Sequence, residues 1–175
     1  MNLTFSFIWI FMKTLLISAL VATVALSGCQ TVSHAAQQAQ NTVQAAMQSK
    51  TERNKANAIA FYDLAFNQHK VQEAADKYIG DVYLQHNPNV PDGKEAFVKI
   101  IGGFIGQTPQ ARSHIKRVIA EGDLVVLHIH SQPKPNTLGS SVVDIFRFDE
   151  NGKIVEHWDT IQAVPEKTVS GRSMF

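Results

Sequence analysis

The chain has 175 residues, of which 45% are hydrophobic and 18% are charged, and its formal net charge is +1. This composition fits one ordinary globular domain with some additional sequence. The small net charge and the lack of a Lys/Arg cluster with interleaved aromatic residues argue against a nucleic-acid-binding surface. A single cysteine excludes an intrachain disulfide and any metal site built from several cysteines.

The sequence near the N-terminus has the pattern of a secretory signal. "MKTLLISALVATVALSGCQ" (residues 12–30) places Lys13 before an apolar run that ends in small residues and Cys29. A basic start, an apolar centre and a small-residue cleavage site are typical of secretory signal peptides. "LSGC" resembles the lipobox of bacterial lipoproteins, in which the cysteine is acylated. We therefore expect a lipoprotein signal peptide over residues 1–28, best started at Met12, and a palmitate-type lipid on Cys29.

The residues on either side of this signal indicate where in the cell the protein is expected. Gln30 follows the cysteine, and lipoproteins without Asp at that place usually go to the outer membrane. The resemblance therefore implies a protein of the cell envelope, lipid-anchored to the outer membrane and facing the periplasm. Two or three acyl chains would anchor it stably where one would not. The alternative is an uncleaved transmembrane anchor, since "FSFIWIFM" extends the apolar run upstream.

Three helices are predicted after the signal. Residues 29–53 are rich in Ala and Gln and offer little apolar surface, which predicts a partly helical tether. A folded domain is expected over residues 54–175, where apolar residues begin to recur at the spacings of three and four that are typical of amphipathic helices. The helical segments are "NAIAFYDLAFNQ", "KVQEAADKYI" and "PDGKEAFVKIIGGFIG", and "DVYLQHN" before the third predicts a strand.

The second half of the domain predicts an antiparallel sheet. "HIKRVIAEGDLVVLHIHS" has two apolar runs around Glu121-Gly122-Asp123, which is a hairpin signal. "SSVVDIFRFDENGKIVEHWDTIQAV" has two more around Asn151-Gly152, a dipeptide that favours tight hairpin turns. The Pro, Asn and Gly residues of "QPKPNTLG" predict a loop between the hairpins. Helices followed by such a sheet indicate the α+β class.

Two long stretches carry a family resemblance. "FYDLAFNQHKVQEAADKYIGDVYLQHNPNVPDGKEAF" and "VVDIFRFDENGKIVEHWD" resemble the SnoaL-like polyketide cyclases and aldol-condensation enzymes of the NTF2-like superfamily. The resemblance covers nearly the whole of the expected domain. It implies an α+β cone in which three N-terminal helices pack in a curved antiparallel sheet. It also implies a homodimer that uses neither cofactor nor metal and closes a ring by an aldol step, with one carboxyl as general acid and base.

The resemblance places candidate catalytic residues on this sequence. Asp144 in "VVDIFRF" matches the catalytic aspartate of the cyclases. The related ketosteroid isomerases hold a protonated aspartate there, in an apolar site, and Tyr62 falls where they have an oxyanion-hole tyrosine. Asn87 falls at the place of their base aspartate, which is a departure. Because an amide cannot accept a proton at neutral pH, we expect the neighbouring His86 to be the base.

The surroundings of Asp144 can also be inferred from the strand pattern. Alternation puts Asp144 on one face of its strand with Val142, Phe146 and Phe148. Burial among apolar side chains raises the pKa of a carboxyl and makes it useful as an acid or base near neutrality. The alternative is a structural aspartate that is paired with a neighbouring arginine or lysine.

Further side chains are expected around the mouth of the pocket, where "QHNPN" forms the polar end of a strand. The expected substrate-binding residues are Tyr83, Asn87, His128, His130, Trp158 and Gln162. His128 and His130, together with His86 and His157, also raise the alternative of a zinc or iron site. His-x-His alone is a weak signal, so we expect no metal. Asp159 and Glu156, beside the tryptophan, are interpreted as edge charges.

The family resemblance implies a cofactor-free enzyme that carries out general acid/base chemistry next to a carbonyl of a small apolar ligand. The reaction is either aldol condensation with cyclisation or isomerisation, with Asp144, Tyr62 and His86 as the catalytic residues. The alternative is a non-catalytic periplasmic lipoprotein that binds a ligand, because one fold can host many functions. A metal hydrolase would be the third alternative.

Overall fold

The structure, a computed structural model, describes the backbone of residues 5–175 and the side chains of residues 34–175. The expected signal peptide and Cys29 therefore lie outside the residues whose side chains are described. The chain forms two compact units, Met1–Ala46 and Met47–Phe175. In the first unit, residues 34–46 are helical and exposed. Within residues 34–175, no helix is both long and apolar enough to cross a membrane.

Three helices lie before and after the first strand in the chain. They are α1 (Phe5–Tyr62), α2 (Val71–Tyr78) and α3 (Lys94–Gln107). α1 continues directly into one π-helical turn over Asp63–Asn67, and such turns are frequent at functional sites. The Asn67 side chain exchanges hydrogen bonds of 2.8 and 3.0 Å with the backbone of Ser113, at the start of the second strand. This contact fixes the end of the helix, and with it Tyr62, against the sheet.

Five strands form one sheet in the order β1-β5-β4-β3-β2. They are β1 (Ile79–Gln85), β2 (Arg112–Glu121), β3 (Leu124–Gln132), β4 (Ser140–Phe148) and β5 (Ile154–Ala163). Both predicted hairpins, β2–β3 and β4–β5, are present, and the α+β class is confirmed. The expectation of a wholly antiparallel sheet is wrong, because β1 pairs with β5 in parallel. A tight turn cannot join parallel neighbours, and here α3 and three strands separate them along the chain.

The inner face of the sheet packs against the helices. Phe61 of α1 contacts Phe97 of α3 and Phe146 of β4, with ring centroids 5.5 and 5.7 Å apart. Each buried aromatic ring removes about 150–250 Å² from water, so these contacts join helices and sheet strongly. Asp144 lies on the same face of β4 as Phe146, two residues earlier. The core therefore continues to the carboxyl that the sequence singles out.

Contacts of the folded unit begin before residue 54, where the tether was expected to end. The Thr51 hydroxyl lies between the Met47 carbonyl at 3.1 Å and the Gly122 carbonyl at 3.3 Å, and the Arg53 guanidinium donates to the Glu150 carbonyl at 3.0 Å. The Gly122 and Glu150 carbonyls lie in turns next to strands, at the closed ends of the two hairpins. The last residues of the Ala/Gln-rich segment are therefore part of the domain by their contacts.

Candidate active site

A cavity of about 390 Å³ lies between the inner face of the sheet, the end of α1 and α3. Apolar side chains form much of its wall, among them Phe61, Phe97, Phe104, Val142 and Phe146. Its polar side chains include Tyr62, Tyr83, Gln85, Asp144, His157 and Asp159. An apolar cavity with a few converging polar groups is typical of a site for a small molecule.

Asp144 and His157 form a buried pair in the cavity wall. His157 Nε2 lies 3.0 Å from Asp144 Oδ1, and the two residues are only 8% and 4% exposed. Burial raises the pKa of Asp144, and although the hydrogen bond and charge of His157 act in the opposite direction, desolvation is the larger effect. The hydrogen-bonded partner of Asp144 is thus a histidine and not the arginine or lysine of the structural alternative.

Gln85 determines which nitrogen of His157 carries a proton. The backbone N–H of Asn87 donates to Gln85 Oε1 at 3.4 Å, so this atom is the amide oxygen. His157 Nδ1 lies 2.9 Å from the same oxygen and must therefore donate to it. One further proton lies between His157 Nε2 and Asp144 Oδ1, where it makes either a neutral pair or an ion pair.

Tyr62 completes the surroundings of Asp144. Its hydroxyl lines the cavity beside Asp144, and as a hydrogen-bond donor it lowers the pKa of that carboxyl. Burial raises the pKa of Tyr62 well above its ordinary value, so the hydroxyl keeps its proton. Stacking on Phe66, with centroids 4.4 Å apart, holds the ring in place.

Tyr83 lies at the other end of this network. Gln85 Nε2 donates to the Tyr83 hydroxyl oxygen at 3.1 Å. Burial raises the pKa of Tyr83, as do the charges of Asp144 and Asp159, so the hydroxyl stays protonated. Among the described residues, no acceptor is found for the Tyr83 hydroxyl proton. This O–H group therefore remains able to donate to a ligand in the cavity.

Asp159 is a second carboxyl in the same cavity. In the β4–β5 register it is the direct cross-strand partner of Asp144, and both side chains line the cavity. Asn87 Nδ2 donates to Asp159 Oδ2 at 2.6 Å. Asp159 therefore lies in the cavity wall, and its interpretation as a charge at the edge of the sheet is wrong.

Three of these groups could also contact a metal ion. Asp144, His157 and Asp159 hold potential ligand atoms that all lie within 4.8 Å of one another. A metal would have to displace the proton that His157 Nε2 and Asp144 share. The four histidines of the metal alternative do not form one ligand set, because His86, His128 and His130 do not line this cavity.

His86 and Trp158, both expected at the site, lie outside the cavity. Their rings stack with centroids 4.7 Å apart, and His86 Nε2 lies 2.9 Å from Glu156 Oε1. The hydrogen bonds from His86 and Arg147 lower the pKa of Glu156. His86 is therefore badly placed for the base role, for a simple reason: the alternation that turns Asn87 into the cavity turns its neighbour away.

His128, His130 and Gln162 are also not among the cavity residues. The two histidine rings pack against Phe175, with centroids 5.5 and 4.4 Å apart, and burial and the Arg117 charge lower the pKa of His128. The thickness of the sheet separates them from the inner face, to which Leu127 and Ile129 point. Of the expected residues, the structure thus brings together Tyr62, Tyr83, Asn87 and Asp144.

Three cavity residues were missed in their roles: His157, Gln85 and Asp159. Strand alternation would have found them, because His157 and Asp159 are two apart and lie on one face of β5. Gln85 shares its face with Tyr83 and Asn87 in the same way. Trp158 lies between His157 and Asp159 in the sequence, but its side chain is on the opposite face of the strand and outside the cavity.

Comparison with known proteins agrees with this architecture. One solved structure with a similar fold is described as a polyketide cyclase from Acidithiobacillus ferrooxidans (19% identity, TM-score 0.55, 63% of this chain and 88% of that chain covered). A second structure described as a polyketide cyclase, from Bacillus cereus, has 19% identity and a TM-score of 0.54, with 63% of this chain and 74% of that chain covered. A structure described as an isomerase of the SnoaL-like family, from Agrobacterium tumefaciens, has 10% identity and a TM-score of 0.51, with 66% and 99% covered.

At these identities the likeness shows the fold alone. No curated protein sequence matches the chain. The family model of the SnoaL-like domain, however, matches residues 58–157, which is more than half of the chain. The chain therefore belongs to the SnoaL-like domain family.

Proposed function

We propose that this protein is an enzyme that moves a proton at the carbon next to a carbonyl of a small apolar ligand, with Asp144 as the acid. One observation carries the proposal: a carboxyl that is 4% exposed, with a raised pKa, faces an apolar cavity beside Tyr62 and His157. The proton that Asp144 shares with His157 can pass from the carboxyl to a ligand carbonyl oxygen as negative charge develops there. The similar structures described as polyketide cyclases and an isomerase are in line with this chemistry.

The remaining groups of the cavity support ligand binding. A volume of about 390 Å³ suits a ligand of one or two rings. Apolar side chains of α3, such as Phe97 and Phe104, would cover its carbon skeleton. The free hydroxyl proton of Tyr83 would donate a second hydrogen bond to the carbonyl oxygen, which helps to stabilise an enolate.

The reaction begins with removal of a proton from the carbon next to the carbonyl. The C–H electron pair forms the new C=C bond, and the carbonyl π electrons move to the oxygen, which Asp144 protonates or hydrogen bonds. In an isomerisation the proton returns to another carbon. In an aldol condensation the enol carbon attacks a second carbonyl, whose oxygen takes up the proton as the new C–C bond closes the ring.

The test uses α-tetralone, a bicyclic aromatic ketone of suitable size, and follows exchange of its α-protons with deuterated solvent by NMR. We expect wild-type protein to accelerate exchange and Asp144→Asn to lose about a hundredfold or more of that acceleration. Asp81→Asn, an exposed carboxyl on β1 outside the cavity, is the matched control and should exchange normally. Repeating the assay with protein that has been treated with a chelator shows whether exchange depends on a bound metal ion. Full activity of Asp144→Asn would rule out the assigned role.

A ligand-binding protein without catalysis is the second candidate. The observation that favours it is the apolar character of the cavity mouth, where Ile100, Phe104 and Ile161 are 40%, 44% and 58% exposed. Such a rim suits capture of an apolar ligand and needs no titratable pair. Tight binding of the fluorescent ligand β-naphthol, combined with no exchange of α-tetralone by the wild type, would favour this candidate over the enzyme.

A further inference from the structure

Two carboxyls face each other across the β4–β5 ladder inside the cavity. Asp144 and Asp159 are direct cross-strand partners, and their Cβ atoms are therefore expected about 4.5–5.5 Å apart. Like charges at such a position repel each other, and the repulsion is stronger in an apolar cavity. One of two carboxyls in the same site therefore keeps its proton while the other ionises. Asp144 is fully buried while Asp159 is only partly buried. The less buried member, Asp159, is the one that can carry the negative charge at lower cost.

Asn87 is built to hold Asp159 as a carboxylate. The backbone N–H of Asn89 donates to Asn87 Oδ1 at 2.8 Å, which identifies that atom as the oxygen and directs Nδ2 to Asp159. Nδ2 then donates to Asp159 Oδ2 at 2.6 Å. An amide can donate here but cannot take up a proton, so Asn87 positions a base without being one. Among the described residues, no hydrogen bond is found to Asp159 Oδ1.

We propose that Asp159, positioned by Asn87, is the general base that takes the proton from the ligand carbon. This inference rests on the proposed function, in which Asp144 is the acid on the carbonyl oxygen. Asp159 accepts the proton on Oδ1 while the C–H electron pair becomes the C=C bond, and it later returns the proton to carbon. The ligand class is an apolar ketone with an enolisable C–H. Two carboxyls in different environments thus divide the acid and base roles.

The experiment compares Asp159→Asn with the Asp81→Asn control in two assays. In α-tetralone exchange, we expect Asp159→Asn to lose about a hundredfold or more, since a positioned base contributes about 10²–10⁴-fold. In β-naphthol binding, which requires no proton transfer from carbon, its Kd should stay within about threefold of wild type. Asp81→Asn should match wild type in both assays.

The outcomes separate the two proposals. If Asp159→Asn exchanges normally while Asp144→Asn does not, the base is another group and the proposed function stands. If Asp159→Asn loses β-naphthol binding together with exchange, Asp159 has a structural role and the assignment is wrong. If wild-type protein accelerates no exchange, the proposed function itself fails, and the base assignment fails with it.

The pH dependence of exchange by Asn87→Ala tests whether Asn87 positions Asp159 as the base. A purely structural role of Asn87 would not shift this pH dependence. Removing the amide donor makes the Asp159 carboxylate less favourable, so the acid-side inflection of the exchange rate should move to higher pH, with the rate at high pH largely kept. The titratable groups facing Asp159 are Asp144, His157, Tyr62 and Tyr83, and α3 contributes only apolar side chains to the lining. An unchanged pH profile would overturn the positioning role of Asn87.

Discussion

The imidazole of His157 lies 3.0 Å from the carboxyl of Asp144 through Nε2, and its other nitrogen is already committed as a donor to Gln85. The pair therefore contains one mobile proton. Its position is sensitive to everything that changes the stability of the Asp144 carboxylate. Both the stability of the fold and the pH dependence of activity should reveal this.

Replacing Asp144 by asparagine is expected to stabilise the fold at neutral pH. The amide can donate to His157 Nε2 and accept from Tyr62, so the hydrogen bonds survive while the desolvation penalty of a carboxylate is removed. Functional sites commonly cost stability in this way. Chemical denaturation of the wild type and the variant at pH 7 measures the difference. A less stable variant would show that the carboxylate is favourable where it lies.

The same comparison should depend on pH. Because the pKa of Asp144 is raised above its ordinary value of 3.8, the folded protein holds this proton at pH values where the unfolded chain releases it. Its stabilising contribution is complete below pH 3.8 and is lost as the pH rises through the folded-state pKa. The loss has a slope of at most about 1.4 kcal/mol per pH unit. The wild type and Asp144→Asn should therefore diverge as pH rises, and parallel curves would contradict the raised pKa.

His157→Phe should move the basic limb of the pH profile of α-tetralone exchange to higher pH. His157 lowers the pKa of Asp144 through its hydrogen bond and its charge, so without it the acid keeps its proton to higher pH. Tyr62 and Asp159 remain in place and act in opposite directions on that carboxyl. His86→Phe is the matched control, since this exposed imidazole lies outside the cavity, and its profile should match wild type.

The α+β class and the burial of Asp144 on an apolar face could be predicted from the sequence because both depend on local pattern. Alternation along "VVDIFRF" put Asp144 on an apolar face, and Asn-Gly placed the β4–β5 turn. The parallel neighbour of β5 could not be predicted in this way, because strand order is decided by packing between distant segments. That neighbour matters for the site: pairing of β1 with β5 brings Gln85 to within 2.9 Å of His157.

The faces of the sheet on which the histidines and Asp159 lie could not be predicted from the sequence. Four histidines on strands suggested a shared pocket, yet two lie on the opposite face of the sheet against Phe175 and one stacks on Trp158. Which face a strand buries is a tertiary property, and one register step exchanges the faces. Asp159 looked like a surface charge for the same reason, since its partner Asn87 is 72 residues away along the chain.

Cys29→Ser tests the lipid anchor that we propose from the sequence. In full-length protein expressed in a Gram-negative bacterium, wild type should fractionate with the outer membrane. The variant lacks the thiol to which the proposed lipid would be attached, so it should leave that fraction. Intact mass of the purified mature protein should show an acyl addition in the wild type only. Retention of the variant in the inner membrane would instead favour the uncleaved transmembrane anchor.

Tyr83→Phe should reduce α-tetralone exchange by about tenfold to a hundredfold, mainly in kcat. The variant keeps the ring that packs on Phe97, with centroids 6.0 Å apart, but loses a hydroxyl proton that has no acceptor among the described residues. A donor that strengthens its bond as charge develops affects the transition state more than the bound ketone, so KM should change little. Tyr78→Phe is the matched control, because this buried tyrosine of α2 does not line the cavity. Equal losses in the two variants would mean that hydroxyl removal acts through packing and not through the carbonyl oxygen.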